Sequence, residues 1–274
     1  MKLTDIHHVM LSDILQQKGE QMKKLIMHSG GMDSTAIMLE YIEKYGAENI
    51  ISLGFNYGQR HFEKENDAAH RFCYSRDIPR VVLNVPISQI GGCSLIDHSI
   101  DVTTDMADQR STVVPQRNAI FCLFAAAFAQ ENDCDVIVHG ACAEDYEAYR
   151  DCRPVFFKLL EATIQAGRTN PIKGSEDMHQ DLYTEIGRKS GVNYGIAEVS
   201  ANRLDLKVET PLINEKKEDT MKRILEKYDV SVYADSYTCY NGVEPSCGKC
   251  PACKERLTAF KVNGVTDPLA YEGE

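Results

Sequence analysis

Along the chain, short apolar runs alternate with longer stretches in which apolar residues return every three or four positions. Leu25-Ile26-Met27 is the first such run and predicts a buried strand over 23–28. Behind it Ala36, Ile37, Leu39, Ile42 and Tyr45 fall at helical spacing. A second strand is expected over 48–54, a polar helix over 62–75, and a third strand over 81–85 between Pro79 and Pro86. From 91 to 112 the periodicity fails, which predicts a long loop of the kind that often covers an active site. Residues 113–118 lead into 119–130, apolar nearly all round and therefore a buried helix. A fourth strand follows over 135–140, then a dense polar run from Glu144 to Pro154. Phe156, Leu159, Leu160 and Ile164 mark another helix, with Pro154 in its first turn.

Residues 172–200 break the rhythm and read as an insertion, with a short helix around 181–189. Period-two alternation over 203–209 predicts a half-exposed strand, and a last helix is expected over 215–228. Strands separated by helices imply a parallel sheet covered on both faces. The expected organisation is an N-terminal extension (1–22), an α/β domain over 23–230 that carries the insertion, and a C-terminal segment over 231–274.

Composition narrows the function classes. At 43% hydrophobic and 26% charged over 274 residues, the chain is ordinary for a globular protein with a large core. A net charge of −11 argues against extensive contact with nucleic acid, leaving room only for a local basic patch. The sequence reads as free of any apolar run near the roughly 20 residues that span a bilayer. Residues 1–22 carry no hydrophobic signal-peptide core, so a cytoplasmic protein with no membrane partner is expected.

Of ten cysteines, Cys73, Cys93, Cys122, Cys134, Cys142 and Cys152 are scattered and read as free thiols. Cys239, Cys247, Cys250 and Cys253 instead follow the spacing C-x7-C-x2-C-x2-C, with Gly248 and Pro251 shaping the turns. Four thiolates so close in sequence can close a tetrahedron around zinc and leave no open coordination position, which makes a structural site. An iron–sulfur cluster is the competing reading, since consecutive C-x2-C steps also hold such clusters.

The stretch with the most chemistry is Ser29-Gly30-Gly31-Met32-Asp33-Ser34. A strand, a small-residue loop and a helix start make an anion site: glycines let the backbone approach, and the helix N-terminus offers unpaired N–H groups. Ser29 and Ser34 add hydroxyls. Asp33 is ill suited to touch phosphate directly, but it fits a helix cap or a ligand to a metal ion shared with the phosphates. The Gly-Lys-Ser/Thr ending of a Walker A loop is absent.

That spelling resembles the pyrophosphate loop of the N-type ATP pyrophosphatases. Further landmarks narrow the resemblance: Tyr57-Gly-Gln-Arg-His61, Val-Pro-x-Arg-Asn at 114–118, and Asp145-x-x-x-Tyr149-x-Asp151-Cys152-Arg153-Pro154. Pro211-Leu212, Lys217, Cys239-Tyr240-Asn241-Gly242 and the remaining cysteines continue it, in order, over 23–260. Together they resemble the QueC family of 7-cyano-7-deazaguanine synthases. The resemblance implies a Rossmann-like α/β fold of the adenine nucleotide α-hydrolase type, with a C-terminal zinc-binding segment. It also implies a chemistry: ATP with Mg2+ activates the carboxylate of 7-carboxy-7-deazaguanine as an acyl-adenylate, ammonia gives the amide, and a second ATP converts the amide to the nitrile. Ser29, Gly30, Gly31, Met32, Asp33 and Ser34 map to the ATP loop. Asp33, Lys217 and Arg117 take catalytic places, and Tyr149, Asp151 and Arg153 substrate-binding ones. Cys239, Cys247, Cys250 and Cys253 take the zinc. A homodimer is the state that the resemblance implies. His61 and His139 are expected to be structural or capping.

Departures from the family pattern cluster near the expected acceptor. Gln116 stands where the family has glycine, and 147–155 reads Glu-Ala-Tyr-Arg-Asp-Cys-Arg-Pro-Val rather than Ser-Gly-Tyr-Pro-Asp-Cys-Arg-Pro-Glu. One alternative is therefore an enzyme that adenylates the deazapurine but stops at the amide, or couples it to another amine such as a protein N-terminus, as in phage defence. A tRNA-thiolating ATP pyrophosphatase with an iron–sulfur cluster is the other, and the acidic net charge disfavours it.

Overall fold

The computed structural model describes residues 22–167 and 206–273. The N-terminal extension, the insertion with its expected helix, and the first residues of the strand expected over 203–209 lie outside the described residues. Among the described residues five strands form one parallel sheet in the order β3-β2-β1-β4-β5. They are β1 (Lys23–Met27), β2 (Ile50–Asn56), β3 (Arg80–Asn84), β4 (Cys134–Val138) and β5 (Lys207–Glu209). The helices are α1 (Met32–Tyr45), α2 (Phe62–Tyr74), α3 (Arg117–Glu131), the single turn α4 (Asp145–Ala148), α5 (Pro154–Gly167), α6 (Lys217–Leu225) and α7 (Pro251–Val262).

Strand alternation sorts the core into two layers. Leu25, Met27, Ile51, Leu53 and Ile137 face Phe121, Cys122 and Ala125 of α3 and Phe157 and Leu160 of α5. Ile26, Ile50, Val136 and Val138 point the other way, against Ala36 and Ile37 of α1, Phe72 of α2, Met221 of α6 and Phe260 of α7. One feature corrects the sequence reading: Arg110–Glu131 is, by length and composition alone, apolar enough to cross a membrane. That character serves the core here, since α3 buries Phe121, Cys122, Ala125, Ala126 and Ala129.

The strand order reverses between β1 and β4. In open parallel sheets the crevice at such a switch point, beyond the carboxyl ends of the strands, is where ligands bind. The loops after β1, β2 and β4 all open there. No residue of 91–112 lines this crevice, and Arg60 anchors the segment by donating to the carbonyls of Asp97 and Ile100, each at 2.9 Å.

Helix α7 has no counterpart in the sequence reading, where Pro251 served only as a turn former. Proline is favoured in a first helical turn because its missing N–H is not needed there. Cys250 is the N-cap of α7 and Cys253 lies in its first turn, so the cysteine cluster and a helix share one start.

Candidate functional site

The glycine loop is built by three local forces. Gly30 has φ +103, and a β-carbon there would stand 2.2 Å from the backbone oxygen of Glu65 in α2, so only glycine fits. Ser29 Oγ accepts from the Gly31 N–H at 3.1 Å, and Ser34 Oγ donates to the Gly31 carbonyl at 3.1 Å. From the C-terminal segment, the Tyr237 N–H donates to the Gly30 carbonyl at 2.8 Å. The loop thus hands over directly to α1, whose first-turn N–H groups have no partner inside the helix and whose first residues, Met32, Asp33 and Ser34, line the crevice.

Opposite the loop stands Lys217, the first residue of α6. Its side chain is only 10% exposed, with Nζ 2.6 Å from Glu255, 3.8 Å from Asp145 and 3.9 Å from Asp33. Burial opposes the ammonium, but Asp33, Asp145 and Glu255 outweigh it and hold its pKa well above the usual lysine value. The cation at a helix start, electrostatically awkward in the sequence, is answered locally. The Lys217 N–H donates to both carboxylate oxygens of Glu144, at 3.0 and 3.1 Å. Asp33 is pushed up to about 7, chiefly by burial, with Lys217 pulling it down and Asp145, Glu255 and Glu144 pushing it further up.

Arg117, at the start of α3, enters the same cavity. Its Nη1 is 3.4 Å from the Tyr57 hydroxyl, and its guanidinium lies 6.0 Å from the centre of the Tyr149 ring. Among the described residues no carboxylate comes within ion-pair distance of it. A half-buried guanidinium without a carboxylate partner is a prepared anion site. Beside it Phe55 and Phe121 stack at 4.3 Å and line the cavity with an apolar wall suited to a flat ring.

Of the other residues singled out in the sequence, Ser29, Gly31, Met32, Asp33 and Ser34 line this cavity together with Lys217 and Arg117. Tyr149, Asp151 and Arg153 do not. Tyr149 is buried behind Arg117, its hydroxyl 2.8 Å from Thr112 Oγ1. Asp151 accepts from the Asn118 N–H at 3.2 Å and so caps α3, which positions Arg117 and Asn118. Arg153 is exposed, with Nε donating to the Tyr146 carbonyl at 3.2 Å. Sequence reasoning missed Glu65, Asn118, Tyr240 and Glu255 as cavity residues. Glu65 and Glu255 look like surface charges on polar helices, and nothing local to either marks it as buried. Tyr240 was legible as a motif residue but not as part of the wall.

The four clustered cysteines converge. Their sulfurs all lie within 4.8 Å of one another and all four are buried. Cys247 Sγ and Cys253 Sγ are 3.9 Å apart, far beyond a disulfide and close to the roughly 3.8 Å edge of a tetrahedron with metal–sulfur bonds of about 2.3 Å. The N–H groups of Cys247, Lys249 and Cys250 point at cysteine sulfurs at 3.4 Å, as they do toward thiolates. The donor set fits a metal ion. The other six cysteines are buried and free, as expected.

Comparison with known proteins is consistent over nearly the whole chain. The family model described as "Queuosine biosynthesis protein QueC" matches residues 23–264. A 7-cyano-7-deazaguanine synthase of Psychromonas ingrahamii is 34% identical over 256 residues, covering 91% of this chain and 98% of that protein. One of Pseudoalteromonas translucida is 31% identical over 255 residues, covering 91% and 99%. Among solved structures, a tRNA thiolase from Methanococcus maripaludis with its iron–sulfur cluster covers 84% of this chain and 70% of its own, at 14% identity and TM-score 0.37. A likeness that remote carries neither its cluster nor its substrate to this chain.

Proposed function

The chain belongs to the QueC family of queuosine biosynthesis proteins, and on that premise we propose that it is an ATP-dependent ligase forming 7-cyano-7-deazaguanine from 7-carboxy-7-deazaguanine and ammonia. The observation that carries the reading is the convergence of the glycine loop, the α1 N-terminus, Lys217 and Arg117 on one cavity at the sheet's switch point. In that reading the loop N–H groups and the α1 N-terminus bind the departing pyrophosphate, and Lys217 offsets the charge that builds on it. A carboxylate is a poor electrophile; adenylation gives its carbon a leaving group, and the protein contributes orientation and charge neutralisation rather than a nucleophile. Arg117 pairs with the substrate carboxylate, the Phe55–Phe121 wall takes a flat ring, and Tyr149 and Asp151 hold Arg117 and Asn118 in place.

Two metals belong to the reading. Asp33 and Asp145 would hold Mg2+ with the nucleotide, since three carboxylates share the one Lys217 cation and leave a surplus of negative charge. Magnesium supplies charge neutralisation on the phosphates. Cys239, Cys247, Cys250 and Cys253 would hold structural zinc, which ties Tyr240 and α7 to the cavity wall.

The test is an incubation of the purified protein with ATP, Mg2+, ammonium and 7-carboxy-7-deazaguanine, followed by mass spectrometry. Nitrile is the expected product. Amide alone, or AMP release without a free deazapurine product, overturns nitrile formation and points to a different acceptor amine.

A further inference from the structure

Of the ionisable cavity residues that the proposed reaction does not use, Glu65 stands against the glycine loop. Glu65, on the first turn of α2, lines the cavity with its side chain 15% exposed. A β-carbon placed on Gly31 would stand 4.0 Å from Glu65 Oε1, so the carboxyl group lies against the phosphate loop itself. An ionised carboxylate there would repel the phosphates the loop is built to hold. Arg117 from α3 and Arg80 from β3 face it, yet neither comes within ion-pair distance; the one basic group within 4 Å among the described residues is His61, Nε2 to Oε2 at 3.7 Å.

The tautomer of His61 is fixed from behind. Its Nδ1 lies 3.3 Å from the Tyr240 carbonyl, which can only accept, so Nδ1 carries the hydrogen. His61 stays neutral because burial lowers it to about 4. Nε2 therefore presents a lone pair to Glu65. That lone pair, 3.7 Å from Glu65 Oε2, disfavours the carboxylate and favours the protonated acid electrostatically. Burial pushes Glu65 up to about 8, against the weaker pull of Arg117 and Arg80. Glu65 and its backing histidine thus form a proton site against the glycine loop, in the same cavity as Arg117, the proposed partner of the substrate carboxylate.

We infer that Glu65 is a catalytic proton acceptor for the amine that attacks the activated carboxyl group, with His61 as the positioning residue that stabilises the proton once taken. The inference rests on the adenylation reading above. In the step, the amine lone pair forms the C–N bond and the bond between the carbonyl carbon and the AMP oxygen breaks, its electron pair leaving with AMP. The nitrogen then gives its surplus proton to a Glu65 oxygen. The protonated acid is favoured by the lone pair of the neighbouring His61 Nε2 and later returns the proton to solvent. A group titrating near working pH is suited to both halves of that cycle.

The test separates activation from transfer in full-length wild type and in Glu65→Gln, which keeps the side-chain volume. ATP–pyrophosphate exchange with 7-carboxy-7-deazaguanine reads adenylation and the integrity of the site. Hydroxylamine, unprotonated above about pH 7, replaces ammonia as the probe so that the nucleophile's own ionisation drops out, and hydroxamate formation reads the transfer. Exchange is expected to stay within about threefold in E65Q, while hydroxamate formation falls by about 10²-fold. In wild type that rate is expected to rise with one ionisation near pH 8, and the rise is expected to vanish in E65Q. Exchange in both proteins with equal hydroxamate rates, or a wild-type rate without that ionisation, overturns the role of Glu65 alone. No exchange in wild type overturns the adenylation reading and this inference with it.

Discussion

Gln116 shows how much one residue's backbone decides. It caps α3 with φ +57, in the left-handed region, directly before Arg117. Strain for a residue with a β-carbon there is about 1–2 kcal/mol, whereas glycine adopts it freely but loses roughly 0.5–1 kcal/mol more chain entropy on folding. Gln116→Gly is therefore expected to stabilise the protein by roughly 0.5–1 kcal/mol, seen as a higher urea midpoint at unchanged slope; an unchanged or lower midpoint would show that the side chain contributes contacts outweighing the strain. The sequence marked this position as a departure from the family but could not give its φ. At Asp33 the sequence was more informative, because the loop spelling placed a carboxylate at the start of α1, beside the proposed phosphate site. Burial keeps that carboxylate costly, so Asp33→Ala is expected to cut ATP–pyrophosphate exchange by about 10²–10³-fold without lowering the melting temperature. Exchange at the wild-type rate in that variant would remove Asp33 from the mechanism. Glu65 and Glu255 were not legible, because their burial comes from distant elements: β1's loop covers the first, α6 the second.

At the scale of elements, the strand–helix alternation was legible because each strand is a short apolar run and each early helix has a repeating apolar face. Helix α7 was not, because its apolar and polar residues do not segregate: Arg256 is 1% exposed, held by Asp267 at 2.6 and 2.8 Å and by Ser236 Oγ at 2.7 Å. Its start is fixed by the cysteines instead. Cys239 immediately precedes Tyr240 in the cavity wall, and Glu255 follows Cys253 by less than a helical turn and pairs with Lys217. A metal held by the cluster would thus be coupled to the cavity through both of its ends. Cys250→Ser is expected to lower bound metal from one per chain toward zero, lower the melting temperature by several degrees, and reduce exchange activity in parallel. Metal analysis by mass spectrometry checks the first. Unchanged stoichiometry in C250S would exclude the four-cysteine site, and lost metal with full activity would exclude the coupling.

Over the whole molecule the same buried groups set how stability varies with pH. His28 is held well below the usual histidine value, and His61 and His139 at about 4, burial being the main cause in each. Unfolding lets these rings take up protons below about pH 6.5, so they make stability rise with pH up to that point. Asp33 and Glu65 act in the opposite sense. Raised to about 7 and about 8, they hold protons in the folded state that the unfolded chain has already lost, so stability falls as pH climbs toward 8. Between about pH 4 and 6.5 the three histidines oppose the two acids. Above 6.5 only the acids remain, and Glu65 alone costs on the order of 2 kcal/mol by pH 8. Ligand-free protein with its cysteine metal in place is therefore expected to be most stable near pH 6.5 and measurably weaker at pH 8. Glu65→Gln removes most of the falling limb, because an amide carries no charge to bury. Urea midpoints at pH 5, 6.5 and 8 for both proteins check this. Wild-type stability still rising from pH 6.5 to 8, or an E65Q protein that falls as steeply as wild type, would show that Glu65 is not a buried acid in solution.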